Sequence, residues 1–509
     1  MGVTGHLSEM SLRAALPAPD PNDSGLLTAA QASLLADQYE LAMAASYLAR
    51  DMNEPAVFEL FVRHLPPQRQ WLLTAGLGPS LTLLQEMKFG GGELAYVHSL
   101  GFGCEFLDYL ARFRFSGDVD AMPEGTIAFP GEPLLRVTAP RVEAQLLETL
   151  LLNQVNFQTM VATKAARLAL AAGMGAPAGE RVVDFSPRRD HGTDAAMKAA
   201  RAAAIAGCRG TSNLAAAMRY GLPPVGTMAH SYVMSFECEQ DAFCAFMADF
   251  PSNAVLLVDT YETLEGVQRA IAAARMTGVA LAGVRLDSGD LLELSRRTRE
   301  LLDQAGMFGA RIVASGDLEE HQIAELTAAG APIDTFGVGT DLGTSRDSPV
   351  VNGVYKLVAH KVRGTWRDVC KRSPEKATMP GAKQVFRNFA DAEMRGDLIA
   401  RVEERADGEP LLRPFVRDGR LVCTETIMQM SMRARSELSA LPDRLRELDG
   451  AGDPYPVIYS DRCRRSLAVA SAAAGVARRS LSIGSRGTRP RDRATCFSRS
   501  TPLRPPGSM

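Results

Sequence analysis

Four short segments of this 509-residue chain each end an apolar run in a loop bearing acids and glycines: VLLVDTYET (255–263), AGVRLDSGD (282–290), RIVASGDLEE (311–320) and DTFGVGTDLGT (334–344). Asp259, Asp287, Asp317 and Thr340 fall 28, 30 and 23 residues apart. Carboxylates suit a sugar diol or a hard cation, and glycines let backbone N–H groups approach a phosphate. The set reads as a site for a phosphorylated sugar. A second block, DFSPRRDHGTDAAMKAARAAAIAGCRGTSN (184–213), places Arg188 and Arg189 after an apolar strand, a forked cationic pair suited to phosphate, diphosphate or carboxylate. His230, in GTMAHSYV (226–233), ends a strand-like segment. A solitary histidine is more often structural than catalytic, and an arginine pair is more often solvated surface. A shared rim with the acids and glycines tips the histidine towards function, while the arginine pair alone is a weak signal.

The spacing is that of a strand, a crossover helix and two loops. The intervening segments ETLEGVQRAIAAARM, LLELSRRTRELLDQAG and EEHQIAELTAAG carry amphipathic helical periodicity. Successive βα units form an α/β barrel or an open parallel sheet, and both gather ligands at the carboxyl ends of the strands.

Around this stretch, LLADQYELAMAASYL reads as a helix, AVFELFVRHL as a strand, WLLTAGLGPSLTLLQEM as a turn and helix, and PEGTIAFPGEPLLRVTAP as small β structure. A long helix follows over RVEAQLLETLLLNQVNFQTMVATKAARLALAAG. Beyond residue 345, VYKLVAHKV, GTWRDVCKRS and KQVFRNF suit antiparallel strands, and 430–448 suits one last helix. The expected organisation is a disordered extension over 1–33, a first α/β segment over 34–150, a barrel-like segment over 151–345, a second α/β segment over 346–448 and a basic tail over 460–509.

Composition excludes several classes. With 46% hydrophobic and 23% charged residues the chain suits a soluble globular protein, and no run approaches a membrane span. The first residues lack an apolar core of the secretory type, and His6 spoils a myristoylation motif. Eight scattered cysteines without C-x-x-C spacing suit reduced cytoplasmic thiols better than zinc or disulfides. The net charge of −3 hides a tail, 461–509, with 11 Arg against 2 Asp, so the first 460 residues sum to −12. An acidic body argues against nucleic-acid binding. For the tail, a disordered extension is the plainest reading; a basic arm for nucleic acid or anionic lipid, and a stretch translated out of frame, also fit. Neither a G-x-S-x-G elbow nor a P-loop occurs.

LLADQYELAM, FELFVRHLP, PEGTIAFPGEPLL, DFSPRRDHG, GTSN, GTMAHS, VRLDSGD, FGVGT, NGVYKLV and KATMPGAKQVFR, in this order from about Leu34 to Leu448, resemble the nicotinate phosphoribosyltransferase family. The resemblance implies an α/β fold: an incomplete α/β barrel beside an α/β sandwich built from both chain ends. It implies joining of nicotinate to 5-phosphoribosyl 1-diphosphate, with ATP as co-substrate, Mg²⁺ as cofactor and His230 as the residue ATP phosphorylates. A neutral imidazole is a competent nucleophile for that step. By the same resemblance Asp287 and Asp290 serve ribose hydroxyls or Mg²⁺, though Asp290 equally suits a helix N-cap. Arg285 and Thr227 contact nicotinate, Phe185 covers one ring face, and Arg188 meets the diphosphate. Gly316, Asp317, Gly339 and Thr340 line the phosphoribosyl end, where both glycines also suit plain turns.

Tyr39 is implied to pack on the pyridine ring from the neighbouring subunit, which implies a homodimer with shared sites; taken alone it suits a helix-face core residue. The sister family that uses nicotinamide carries Asp where this chain has Ser212; serine can donate to a carboxylate where Asp would repel it, which favours the acid. The opening motif departs from the family's pattern at Ala36 and Ala42, both usually threonine. A transferase for nicotinamide or quinolinate, a non-catalytic sensor of NAD precursors and a phosphate-binding barrel isomerase or aldolase are the competing readings. The isomerase does not account for GTMAHS and DFSPRR, and a sensor predicts erosion at His230, Arg285 or Asp287.

Overall fold

The computed structural model describes residues 25–27, 31–173, 181–371, 373, 376–450 and 453–470. Its parallel sheet has five strands in the order Val182–Asp184, Thr335–Val338, Arg311–Ala314, Gly283–Leu286 and Val255–Leu257. Single parallel bridges from Asp184 to Thr211 and from Thr211 to Pro224 continue the curl past its first edge. Helices Thr263–Thr277, Leu291–Gln304, Glu320–Ala328 and Thr340–Thr344 follow the last four strands in sequence. The strands are short and buried because helices cover them: Leu256, Val284, Ile312, Phe336 and Val338 are fully buried. The result is the incomplete α/β barrel that the family resemblance implies, one of the two arrangements the βα periodicity leaves open.

The second body is a seven-stranded antiparallel sheet, with order Thr365–Asp368, Gly353–Val362, Pro55–Val62, Pro133–Pro140, Asp118–Ala121, Arg413–Arg417 and Arg420–Leu421. Pro55–Val62 lies between a strand from before the barrel and one from after it, and Ala56 through Val62 are buried. Such a strand reads as a nearly unbroken apolar run. Its one acid, Glu59, is fully buried and pairs with Lys383 at 2.6 Å. A four-stranded sheet, Glu409–Pro410, Lys383–Ala390, Glu393–Arg401 and Val457–Tyr459, completes the sandwich.

Several sequence-based boundaries move. Gln31–Leu34 is a 3-10 helix with Ala32 and Ser33 buried, so order begins inside the extension expected over 1–33; residues 1–24 and 28–30 lie outside the described residues. The division at 150/151 falls within helix Glu148–Ala171. Its first half (Leu150, Leu151, Val155) packs into the sandwich core and its second half (Val161, Ala162, Ala165) into the barrel core, so one helix serves both bodies. The last helix is two pieces, Ile427–Ala440 and Asp443–Arg446, because Pro442 cannot supply the N–H that continuation needs.

The second sandwich segment does not stop at 448. Val457–Tyr459 adds a parallel strand to Glu393–Arg401, and Tyr455 stacks on Phe129 at 3.7 Å between centroids while its hydroxyl donates to Asp397 at 2.9 Å. Residues 461–470 are helical with Cys463 fully buried, which overturns the disordered reading for that part of the tail; 471–509 lie outside the described residues. Among the described residues no helix is long and apolar enough to cross a membrane.

Candidate active site

The carboxyl ends of the parallel strands bring the chemistry-bearing residues onto one rim. Arg285 lies near the end of strand Gly283–Leu286 and Asp287 immediately follows it. The Arg285 guanidinium donates to Asp287 Oδ1 at 2.6 Å and, through Nε, to Ser315 Oγ at 2.7 Å; Ser315 Oγ in turn donates to Asp287 Oδ1. The guanidinium carbon also stands 5.4 Å from the centroid of the Phe185 ring. A cation held over an aromatic face with a carboxylate on its flank has a defined plane, and a planar carboxylate-bearing ring can dock against it.

Phe185 reaches that position because residue 337, on the adjacent strand, is glycine. A Cβ on Gly337 would lie 2.4 Å from the Phe185 ring, so any side chain there would displace it. The strand before Phe185 is held from the other side by Asp184, which accepts from Ser186 N at 2.8 Å and Thr211 Oγ1 at 2.7 Å. Burial raises the Asp184 pKa, against the pull of these donors.

His230 opens the short helix His230–Val233. Its Nδ1 lies 3.1 Å from Thr260 Oγ1, and its Nε2 lies 3.7 Å from Asp287 Oδ2. The imidazole side chain is 40% exposed, which leaves an approach from solvent. Burial works to raise the Asp287 carboxyl, but the hydrogen bond from Ser315 and the neighbouring Arg285 and His230 outweigh it and hold the group below the ordinary carboxylate value. Asp287 is therefore anionic at neutral pH. Asp259 supports the same loop from strand Val255–Leu257, its Oδ2 accepting from Asp287 N at 2.9 Å and Ser288 Oγ at 2.7 Å.

The next two loops close in beside this group. Gly316, at φ +97°, packs so tightly on the Asp287 carbonyl that a Cβ would lie 1.8 Å from its oxygen. Asp317 follows, also left-handed at φ +47° and exposed. Gly339 and Thr340 begin the turn into Thr340–Thr344, and both are half-buried. Ser212 donates its backbone N–H to the Asp184 carbonyl at 2.9 Å, which places it beside Phe185 in the chain of bridges. Thr227, three residues before His230, donates its hydroxyl to the Met228 carbonyl at 3.3 Å. Arg188 sits exposed in the turn after Phe185, and no side-chain partner engages its guanidinium among the described residues. An unengaged cation on that rim is available to an anionic ligand.

Two expected residues stand apart. Asp290 is the N-cap of Leu291–Gln304, its Oδ1 accepting from Leu292 N and Glu293 N at 3.1 Å each. The structure gives it the capping role, and no contact joins it to His230 or Asp287. Tyr39 is 47% exposed on the sandwich, and its phenol is raised by burial and by the charges of Glu148, Glu40 and Asp37. It meets none of the rim residues of its own chain. Thr260, Ser315 and Asp184, which the geometry shows to position the site, are not among the residues the sequence singles out, and Asp259, one of the rim acids it does single out, has no role of its own there. Asp184 and Asp259 carried a signal, an acid at the end of an apolar strand.

Among the described residues no group of three or more His, Cys, Asp or Glu side chains is placed to hold a metal ion. The rim offers Asp287 Oδ2 and the buried Oδ1 of Asp259, which has no hydrogen-bond partner. Two carboxylates fit a hard cation that keeps most of its water or is held by substrate phosphates.

Comparison with known proteins accords with this arrangement. Residues 34–156 match the model of the nicotinate phosphoribosyltransferase N-terminal domain, and 181–398 match that of the nicotinate phosphoribosyltransferase family. A nicotinate phosphoribosyltransferase of Mycobacterium tuberculosis is 46% identical over 441 residues, covering 86% of this chain and 93% of the relative. One from Bacillus subtilis is 43% identical over 392 residues, covering 75% and 79%. The crystal structure of human nicotinic acid phosphoribosyltransferase superposes with a TM-score of 0.75 at 27% identity, over 86% of this chain and 100% of that one. With its barrel rim, its two-ended sandwich and these matches, the chain belongs to the nicotinate phosphoribosyltransferase family.

Proposed function

We propose that the protein joins nicotinate to 5-phosphoribosyl 1-diphosphate, the first step of NAD salvage from nicotinate, and couples the reaction to ATP. The observation that carries the reading is the joined set of His230, Asp287, Arg285 and Phe185 on one barrel rim. In the transfer, the pyridine nitrogen lone pair forms a bond to the anomeric carbon. The carbon–oxygen bond to the diphosphate breaks, and its electron pair leaves with the diphosphate. Positive charge develops on the ribose, where the Asp287 carboxylate supplies opposite charge. Arg285 faces the nicotinate carboxylate and Phe185 the ring.

His230 has two tautomers, and donating Nδ1–H to Thr260 frees the Nε2 lone pair for the γ-phosphorus of ATP. The phosphoryl group moves to nitrogen as ADP leaves, and water later cleaves the P–N bond. Mg²⁺, as the hard cation the rim carboxylates suit, would lower the charge on the leaving diphosphate; Asp287 and Asp259 are the residues to hold it. The exposed Tyr39 supports a homodimer in which each chain lends this ring to its partner's site. A cytoplasmic location accords with the reduced, scattered cysteines.

The test is turnover of nicotinate, phosphoribosyl diphosphate, Mg²⁺ and ATP to nicotinate mononucleotide and ADP, with His230→Ala and nicotinamide in parallel. Product from nicotinate alone, with ATP stimulation lost in the variant, supports the reading. No product from protein that still binds the substrates overturns it.

A further inference from the structure

Beneath the rim lies a cluster the reaction does not use directly. Lys164, in helix Glu148–Ala171, has only 1% of its side chain exposed. Its ammonium pairs with Glu320, with Asp341 at 2.5 Å and with Asp347 at 3.0 Å. Arg167 Nε meets Glu320 at 3.0 Å, and Arg69 from the sandwich meets Asp347 at 2.7 Å and Ser345 Oγ at 3.1 Å. Three cations thus balance three carboxylates inside the protein.

Two of the carboxylates are placed where the loops begin to turn into helices. Glu320 opens the helix that follows Gly316 and Asp317, and Asp341 follows Thr340 in the helix that succeeds Gly339. One ammonium therefore ties together the roots of two adjacent rim loops, and Asp347 links it to Arg69 of the other body. Lysine suits this position because its compact head offers three donors in different directions, whereas a guanidinium fork is planar. Burying so many charges is costly unless the geometry is complete, so removing one member leaves an uncompensated charge and the loops must move.

We propose that Lys164 is a positioning residue that sets the spacing between the 315–320 and 339–341 loops and thereby the grip on the phosphoribosyl end of the substrate. The inference rests on the transferase reading above. Lys164 touches neither Arg285 nor Phe185, and Ser315, which bonds Arg285, is held independently by Asp287, so removing Lys164 acts first on the phosphoribosyl end of the substrate. Lys164→Met raises the KM for phosphoribosyl diphosphate by about tenfold or more and leaves that for nicotinate within about twofold. The charge-matched pair Lys164→Met with Asp341→Asn, which removes one charge of each sign, brings the first KM back towards wild type.

A parallel rise in both KM values, or no recovery in the double variant, overturns the proposal. Should Lys164→Met fail to fold, Asp341→Asn alone still leaves Lys164 paired with Glu320 and Asp347; it raises the KM for phosphoribosyl diphosphate several-fold, and an unchanged value overturns the proposal. Calorimetric titration with phosphoribosyl diphosphate needs no turnover. Weakened binding in the variants upholds the positioning role even if wild type makes no nicotinate mononucleotide, whereas active wild type with unaltered binding in the variants defeats this proposal alone.

Discussion

Gly316→Ala tests whether the close approach of two rim loops is what places Asp287. The new Cβ would lie 1.8 Å from the Asp287 carbonyl oxygen, against about 3.4 Å for an ordinary contact, so the loops must part by up to about 1.6 Å. A displacement of that size takes the 2.7 Å contact between Arg285 and Ser315, which joins the two loops, past about 4 Å, outside hydrogen-bonding range. Losing a charge-assisted hydrogen bond costs about 1.5–3 kcal/mol, which converts to a fall of about 10- to 150-fold in kcat/KM. Alanine at φ +97° adds backbone strain of about 1–2 kcal/mol that lowers stability whatever happens to the site. Gly306→Ala separates the two effects: φ is +75°, but nothing lies within 4 Å of its Cβ, so it carries strain without collision. Steady-state kinetics and thermal unfolding of both variants decide the matter. A Gly316→Ala enzyme that loses stability as Gly306→Ala does, yet turns over within about twofold of wild type, would refute the reasoning.

Arg285→Lys keeps the charge but cannot donate to Ser315 and Asp287 while lying flat over Phe185; it raises the KM for nicotinate by about 10- to 100-fold, measured by initial rates at saturating phosphoribosyl diphosphate. Burial, helped by the nearby Asp184 and opposed by Ser186 and His191, raises Asp190 from 3.8 to about 6. A carboxyl raised on folding favours the folded state when protonated, so its ionisation costs stability as pH rises from about 4 to 6, and the cost persists above that. Asp190→Asn is therefore more stable than wild type at pH 8, with the gap narrowing below pH 6 and vanishing near pH 4, as followed by unfolding in denaturant across pH. A chain ending at residue 452 loses the Tyr455–Phe129 stack, the Tyr455–Asp397 hydrogen bond and the Val457–Tyr459 strand. It unfolds at lower denaturant concentration than the full chain, read by fluorescence or circular dichroism.

The barrel was the most legible part of the sequence because each βα unit repeats the same three cues: an apolar run, an acid or glycine at its end, and an amphipathic helix. Asp287, Gly316 and Gly339 stood out for that reason. Asp290 carried the same cue and proved to be a helix cap, since an acid beside a helix start satisfies either demand. Ser315 and Thr260 carry no local signal, because a lone hydroxyl has no periodicity; only the fold brings them to Asp287 and His230. Lys164 and Arg167 were hidden differently. Charged residues spaced by three on a helix ordinarily mark a solvated face, and nothing local tells that the second half of this helix is covered on all sides. Pro442 is the opposite case, a plain breaker in the sequence that splits a helical periodicity running on to residue 448.

The pairing of Pro55–Val62 with Gly353–Val362 has a consequence for how the chain is made. One neighbour of the first strand, Pro133–Pro140, emerges soon after it, but the other side stays unpaired until about 290 more residues have been added. At ordinary rates of translation that is a wait of roughly 15–60 s with an open row of backbone donors and acceptors on an apolar strand. The barrel segment emerges during this interval, and its folding shortens the distance the late strand must close. Synthesis thus passes through a state in which the catalytic rim can already exist while the sandwich is still open to pairing with a neighbouring nascent chain.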